Sequence, residues 1–224
     1  TLRKLKEKNR SRLIQAAMGK IPCDLTVKNV QYFNVFTGEI YPAEVDVLDG
    51  FVVRVRQTGE EPEQPAETVY DGQGRYLIPG YIDTHMHVRD PGHVERGNFY
   101  TETLAAAAGG VTTIMEHPIS VPPQYNVEIL NNRIARAEAQ CVVDYCFYGA
   151  ASAKHAEDIQ KLADDGRIVA YKTFLHAPPE GREQEFEGLT MADDTELMIG
   201  MKALAKTGLI CAFHAENNDL TTYY

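Results

Sequence analysis

The spacing of apolar and polar positions changes near residue 76. Before that point, residues 24–75 alternate between apolar and polar positions in short segments separated by turn residues, among them Asp49-Gly50. Such alternation predicts half-buried strands, and Asp-Gly between two strands predicts a tight hairpin. We therefore expect a small β-sandwich-like domain over residues 21–75, preceded by a basic helix over residues 1–20.

From residue 76 onward, apolar runs of strand length alternate with segments of helical periodicity. Continuous apolar runs are typical of strands buried on both faces, and regular β-α alternation predicts a parallel sheet. This leaves an open doubly wound sheet or a (β/α)8 barrel, and the absence of G-x-G-x-x-G after a strand argues against a dinucleotide-binding fold. The predicted strands lie at 76–87, 111–115, 142–148, 168–174 and 209–215, with helices near 99–108, 127–139, 154–164 and 193–207.

The segment YLIPGYIDTHMHVRDPG, residues 76–92, places two histidines one residue apart at the end of the first predicted strand. Residues i and i+2 of a strand point to the same face, so His85 and His87 are within reach of one metal ion. A helix would set the two rings roughly 200° apart, and Pro79 with Gly80 argues against a helix here. Alone, the pair is weak evidence for a metal site, and two unrelated polar residues at a strand end are the simpler interpretation.

Further chemically active residues fall at the ends of the later predicted strands. His117 follows the second strand, Lys172 lies inside the fourth, and His214 lies near the end of the fifth. Sites in parallel α/β folds form at the carboxyl ends of the strands, so these residues are expected to converge with the histidine pair. A lysine inside an apolar strand needs a chemical reason, because burying an ammonium group is costly.

Charge and cysteine usage narrow the classes of function. The net charge is −10 although residues 1–20 are basic, and such an acidic body repels phosphate backbones, so nucleic acid is not an expected partner. No apolar run approaches the roughly 20 residues that span a bilayer, and no membrane partner is expected. The four cysteines show no C-x-x-C spacing, which predicts reduced thiols in a cytoplasmic protein.

Taken together, four motifs resemble the amidohydrolase superfamily, specifically its cyclic amidase branch of dihydroorotases, hydantoinases and allantoinases. They are IPGYIDTHMHVRDPG, TETLAAAAGGVTTIMEHP, VAYKTFL and AFHAEN, and they cover about residues 76–216. The preceding segment resembles the N-terminal β-domain of the same superfamily: DLTVKNVQYFNVFTGEIYPAEVDVLDG. Its sequence is most similar to that of adenine deaminases. The implied fold is α/β: a TIM barrel of the metal-dependent hydrolase type over residues 76–224, truncated here after about five strands, plus the small β-domain.

The resemblance also implies a cofactor set. It implies two divalent metal ions, usually zinc, of which His85 and His87 would bind the first and His214 the second. Lys172 would carry a CO2-derived carbamate that bridges the two ions, and a hydroxide between them would attack the amide carbonyl. This role would explain why a lysine lies inside an apolar strand.

Arg89 has two interpretations. It stands where dihydroorotases hold the substrate carboxylate with a guanidinium fork; the alternative is a salt bridge with Asp83, Asp90 or Glu95. Ile119 replaces the asparagine usual in dihydroorotases, and this brings the segment closer to allantoinases, which usually lack the arginine.

The expected activity is hydrolysis of a C–N bond in a small cyclic amide or ureide, by a protein that is a homo-oligomer at full length. Two alternatives remain: an adenine deaminase-like purine aminohydrolase, and a non-catalytic hydantoinase-like assembly protein. His117 and His176 are open as site residues. The sequence stops before the histidine expected after strand 6 and the aspartate expected after strand 8, so the 224 residues alone are expected to be inactive.

Overall fold

A computed structural model describes residues 2–223, with side chains from residue 9 onward. The chain divides into two compact units, residues 1–79 and 80–224. Each unit has its own five-stranded sheet. Within the described residues, no helix combines the length and apolar character needed to cross a membrane.

The first unit is a helix beside a mixed sheet. Helix α1, Leu2–Ala17, ends before Gly19, whose φ of 73° closes the turn, and a small core around Ala16, Cys23 and Leu48 is buried within this unit. Asp49 and Gly50 join β2 to β3 with positive φ at both positions, as a type I′ hairpin requires. The strands are β1 Leu25–Phe33, β2 Ile40–Leu48, β3 Phe51–Gln57, β4 Thr68–Asp71 and β5 Tyr76–Leu77.

The first sheet has the order β3-β2-β1-β4, and β5 also pairs with β1. The pairs β1–β2 and β2–β3 are antiparallel, whereas β4 and β5 run parallel to β1. The predicted continuous strand 76–87 is therefore wrong. Tyr76 and Leu77 pair with Gln31 and Tyr32 in this sheet, and a separate strand begins at Tyr81 in the second unit. Pro79 lies in the break, where it lacks the N–H that a sheet ladder needs.

The second unit is a curled parallel half-barrel. Its sheet has the order β10-β9-β8-β7-β6, and all four strand pairs are parallel. Helices follow each strand, so every connection is a β-α unit. The strands are β6 Tyr81–Met86, β7 Val111–Glu116, β8 Asp144–Ala150, β9 Ile168–Phe174 and β10 Cys211–His214. The helices are α2 Phe99–Ala108, α3 Val127–Gln140, α4 Ala156–Asp165, α5 Asp194–Leu204 and α6 Asn218–Tyr223.

The main core lies between the sheet and its helices. Phe99, Ile114, Leu130, Phe147 and Tyr171 are among its fully or almost fully buried side chains. The helices begin at side-chain caps: Asn98, Asn126 and Asp193 each accept a hydrogen bond from a backbone N–H of the first turn. Packing and caps together fix the strands so that their carboxyl ends face the same side, and the side chains at those ends form the candidate site.

Candidate metal centre

His85 and His87 form a close pair at the end of β6. Their Nε2 atoms are 3.3 Å apart, which is close to the separation of two nitrogens bound to one tetrahedral zinc at about 2.0–2.1 Å. His87 Nδ1 lies 3.2 Å from the carbonyl oxygen of His117, and donation of its N–H there leaves the lone pair on Nε2. The geometry therefore fits two imidazoles that share one cation.

Both rings are in an environment that favours the neutral, metal-binding form. Burial lowers the pKa of His87 to about 3. Burial also lowers the pKa of His85, and the charge of the nearby Lys172 amine acts in the same direction. Neutral imidazole is the form that coordinates metal ions.

His117 packs against the histidine pair. Its ring stacks on His85, with ring centroids 4.0 Å apart, and on Tyr148 at 3.9 Å. Its Nε2 lies 3.1 Å from the carbonyl oxygen of Thr84. His117 is buried. The contact with Thr84 fixes the orientation of its ring, and the ring packs against the face of His85.

Lys172 lies on the inner side of β9 and is only 3% exposed. Among the described residues, no carboxylate lies within ion-pair distance of its amine, which is 4.9 Å from the centre of the Phe174 ring. Burial lowers the pKa of the Lys172 amine, which favours the free base that reacts with CO2. A buried amine without an anionic partner, close enough to His85 and His117 to affect their charges, fits the carbamate that the resemblance implies.

His214 ends β10 and belongs to a second group of donors. Its Nε2 lies 3.1 Å from Glu216 Oε1, and His176 Nε2 lies 3.9 Å from Glu216 Oε2. The ligand atoms of these three residues all lie within 4.8 Å of one another. Phe174 stacks on His214, with ring centroids 4.8 Å apart, so this group lies beside the strand that carries Lys172.

Arg89 forms a salt bridge, but with none of the three partners considered from the sequence. Its Nη1 lies 2.5 Å from Oε2 of Glu185, a nearly buried carboxylate. Arg182 binds the same carboxylate through two nitrogens, each at 2.9 Å. Asp83, Asp90 and Glu95 were expected because they are close in sequence, whereas Glu185 is brought in by the loop after β9.

One cavity of about 380 Å³ joins both donor groups. The cavity is lined by polar side chains from three strand ends and by several apolar side chains. Lys172 is not among the residues that line this cavity. The lining residues include His85, His87, Arg89, His176, Arg182, His214, Glu216, Ile119, Phe174, Pro179 and Phe186.

Two residues that line this cavity were not among the site residues predicted from the sequence. His176 was left open and Glu216 was not considered, although each stands two residues after a strand-end residue, Phe174 and His214. That i, i+2 spacing was the available signal. Glu185 and Arg182 carried no comparable signal, because a loop without regular structure determines where they fall.

Comparisons with known proteins agree with the geometry. Residues 74–179 match the family described as dihydro-orotase-like. An allantoinase of Enterococcus faecalis is 36% identical over 191 residues, which cover 83% of this chain and 40% of the relative. An L-hydantoinase of Paenarthrobacter aurescens is 30% identical over 198 residues, which cover 88% of this chain and 41% of the relative.

A solved structure of the L-hydantoinase (dihydropyrimidinase) from Arthrobacter aurescens superimposes with a TM-score of 0.77 at 28% identity. It covers 90% of this chain and 42% of that chain. The chain thus spans about two fifths of the length of the relatives it matches. By its dihydroorotase-like segment, its relatives and its half-barrel, the chain belongs to the cyclic amidase branch of the amidohydrolase superfamily.

Proposed function

We propose that this protein contributes the metal-binding half of a hydrolase that opens the ring of a small cyclic amide or ureide. The observation that carries the proposal is the 3.3 Å approach of His85 and His87 at one mouth of the cavity that His214 also lines. The allantoinase and L-hydantoinase names of the relatives support a cyclic amide as the substrate class.

The residues divide into two metal positions. His85 and His87 would hold one divalent ion, most simply Zn²⁺, and His214 would contribute to the second. Lys172, as a carbamate, would bridge them. When bound, such ions lower the pKa of water toward neutrality and polarise the amide carbonyl that is attacked.

The rest of the cavity binds and orients the ring. Its volume of about 380 Å³ lies in the range of small-molecule sites. Ile119, Phe174 and Phe186 give it an apolar wall that excludes water, and Arg89 offers the N–H groups not used by Glu185 to a substrate carbonyl or carboxylate. His117 keeps the His85 ring in place by stacking.

The test is hydrolysis of dihydroorotate, hydantoins, dihydrouracil and allantoin by the complete gene product, with and without Zn²⁺. We expect ring opening of at least one substrate, loss on chelation, and a fall of at least about 100-fold in His85→Ala. His155→Ala is the control, because His155 pairs with Glu187 outside the cavity. Absence of ring opening across the panel with metal present would overturn the proposal, and size-exclusion chromatography of the same preparation tests the predicted homo-oligomer.

A further inference from the structure

We propose that Glu185 is a positioning residue of the cavity. Its carboxylate links the loop after β9, residues 175–193, to the loop after β6, residues 87–98, and fixes the direction in which the Arg89 guanidinium faces the cavity. The inference deepens the proposed function, since it rests on Arg89 as a group that binds substrate. It assigns a role to a buried carboxylate that is not among the residues lining the cavity.

Four basic side chains contact the Glu185 carboxylate. Arg89 Nη1 lies 2.5 Å from Oε2, and Arg96 Nη1 lies 3.9 Å from the same oxygen. His93 Nε2 lies 3.7 Å from Oε1. Arg182 donates one N–H to each oxygen, both at 2.9 Å. Three of these side chains belong to the loop after β6 and one to the loop after β9, so the carboxylate joins the two loops.

The contact with Arg89 is more than Glu185 needs for its own burial. Glu185 is 4% exposed, so its charge has to be neutralised by partners within the protein. Hydrogen bonds from Arg182 hold the pKa of Glu185 below its ordinary value, and the side chain is ionised at neutral pH. Arg182 neutralises this charge by itself, because a guanidinium and a carboxylate pair through two parallel bonds. The consequence of the additional contact therefore falls on Arg89.

Each loop holds its own end of this link. The short helix Glu183–Phe186 packs on the sheet through Phe186, which is 4% exposed and contacts Phe174 edge-on, with ring centroids 5.1 Å apart. In the other loop, the N–H of His93 donates to the carbonyl of Arg89 at 2.8 Å and closes a turn directly after Arg89. Carboxylate and guanidinium thus come from two segments whose backbones are fixed independently of the link.

The link restricts the motion of the Arg89 side chain. An arginine has several rotatable bonds, and ordering them costs free energy when a ligand binds. A guanidinium held by one N–H presents its remaining N–H groups in a fixed direction, because the group is planar and rigid. Arg89 lines the cavity. Glu185 therefore lowers the cost of binding at Arg89, and its loss should weaken binding rather than slow the chemical step.

The same short helix contains a matched control. Glu183 is exposed, and its Oε1 accepts a hydrogen bond from the N–H of Gly181 at 3.0 Å. It carries the same charge on the same loop as Glu185, yet this contact is with the backbone of its own loop. Glu183→Gln thus removes one negative charge without breaking the link.

The first measurement needs no turnover. Hydrogen–deuterium exchange of the 224-residue protein, followed by mass spectrometry, reports how often the two loops open. We expect Glu185→Gln to speed exchange in residues 87–98 by at least about tenfold, because a neutral amide pairs more weakly with a guanidinium than a carboxylate does. Glu183→Gln should leave this segment unchanged. Unchanged exchange of residues 87–98 in Glu185→Gln would overturn the inference.

The second measurement separates positioning from a merely structural role. It uses the complete gene product with Zn²⁺ and whichever of dihydroorotate, hydantoins, dihydrouracil and allantoin it opens. We expect Glu185→Gln to raise KM about tenfold with kcat within about twofold of the wild type, the pattern of lost binding. In an Arg89→Gln background the same change should have no further effect, because Glu185 acts through Arg89.

An equal rise in KM in both backgrounds would overturn the inference, and so would a loss of kcat at unchanged KM. Far-UV circular dichroism checks the fold of each variant. Glu185→Asp keeps the charge but shortens the reach to Arg89, and it takes the place of Glu185→Gln, with the same expected changes, if that variant unfolds.

The outcomes for the proposed function and for this inference are distinct. Faster exchange of residues 87–98 in Glu185→Gln without any ring opening would leave the link between the loops standing and remove the activity. Ring opening with KM and exchange unchanged in Glu185→Gln would leave the activity standing and overturn the positioning role.

Discussion

The proposed carbamate would give the buried amine of Lys172 a role opposite to that of an unmodified lysine. The unmodified amine lies 4.9 Å from the centre of the Phe174 ring, and its positive charge, when present, lowers the pKa of His85. Carboxylated, it would become an anion near His85 and His117, two imidazoles whose pKa is lowered mainly by burial. The change of sign at a single side chain would convert a site that repels cations into one that attracts them.

We predict that Lys172→Ala in the complete gene product loses bridged metal and most activity, and that short carboxylic acids restore part of both. The acid would occupy the space left by the carbamate. Lys172→Arg should not respond, because its permanent cation fills that space. Metal analysis and the carbamate ¹³C resonance of protein supplied with labelled bicarbonate check this; full metal and activity in Lys172→Ala without added acid would contradict it.

At the residue level, the sequence correctly predicted the contacts that depend on local periodicity. His85 and His87 come together because i and i+2 share a face of a strand, a rule that needs no tertiary information. The partner of Arg89 was not predictable in the same way. Glu185 reaches it from a loop that follows a different strand, and the carboxylates nearest in sequence were the wrong candidates.

At the scale of elements, α3 is bound to the end of β7 by a fully buried ion pair and to the loop after β6 by hydrogen bonds. Arg133 of α3 donates to the carbonyls of Val88 and Asp90, and its Nη2 lies 2.5 Å from Glu116 at the end of β7. Both carbonyls flank Arg89. The helix therefore determines where the loop after the histidine pair runs.

We predict that Arg133→Met lowers the free energy of unfolding by about 3–5 kcal/mol, because it leaves Glu116 buried without a cation. Lys161→Met is the control: it pairs with Asp158 within α4 and is 62% exposed, so it should cost less than about 1 kcal/mol. Urea denaturation measures both, and equal costs would show that the buried pair has no special role.

The start of β6 depends on one close approach. A Cβ on Gly80 would lie 2.1 Å from Thr112 Oγ1 and 2.7 Å from Thr112 Cβ, so β6 and β7 can pair here only without a side chain. We predict that Gly80→Ala destabilises the second unit by roughly 1–3 kcal/mol. Gly109→Ala, whose Cβ would meet nothing closer than 3.4 Å, should be tolerated in the same thermal melt; a Gly80→Ala melt like that of the wild type would contradict the prediction.

The same region shows where element prediction from sequence failed. The β-α order after residue 80 follows from apolar runs and helical periodicity, and the structure has it. The strand predicted over 76–87 is instead two strands in two sheets. An apolar run does not determine which strand each of its halves will pair with. Pro79 was used only as an argument against a helix, and not as a possible break between two strands.

At the scale of the whole molecule, the two donor groups come from opposite edges of one sheet. β6 carries His85 and β10 carries His214, at the two ends of the strand order, yet both residues line one cavity. Only a curled sheet brings its edges round to a common space. The candidate metal centre therefore depends on the curvature of the half-barrel as well as on its residues.

We predict that Zn²⁺ stabilises the protein against heat. At a metal concentration 100 times the dissociation constant, binding to the folded state alone contributes about 2.7 kcal/mol, or a rise of roughly 5–10 °C in Tm for a unit of this size. The chain contains no tryptophan, so far-UV circular dichroism is the suitable probe. Chelator should reverse the rise and His87→Ala should reduce it; a Tm insensitive to Zn²⁺ would contradict the prediction.

The linear strand order has a consequence for the kinetics of folding. Contacts between distant parts of a chain form slowly, because a long loop must close before they contribute. The cavity needs all five strands paired in order, so a cation that contacted both edges would meet donors from both only at the last step. The appearance of the Co²⁺ spectrum during refolding would then report when the sheet is complete. The far-UV circular dichroism signal of the helices would appear earlier and report a separate step.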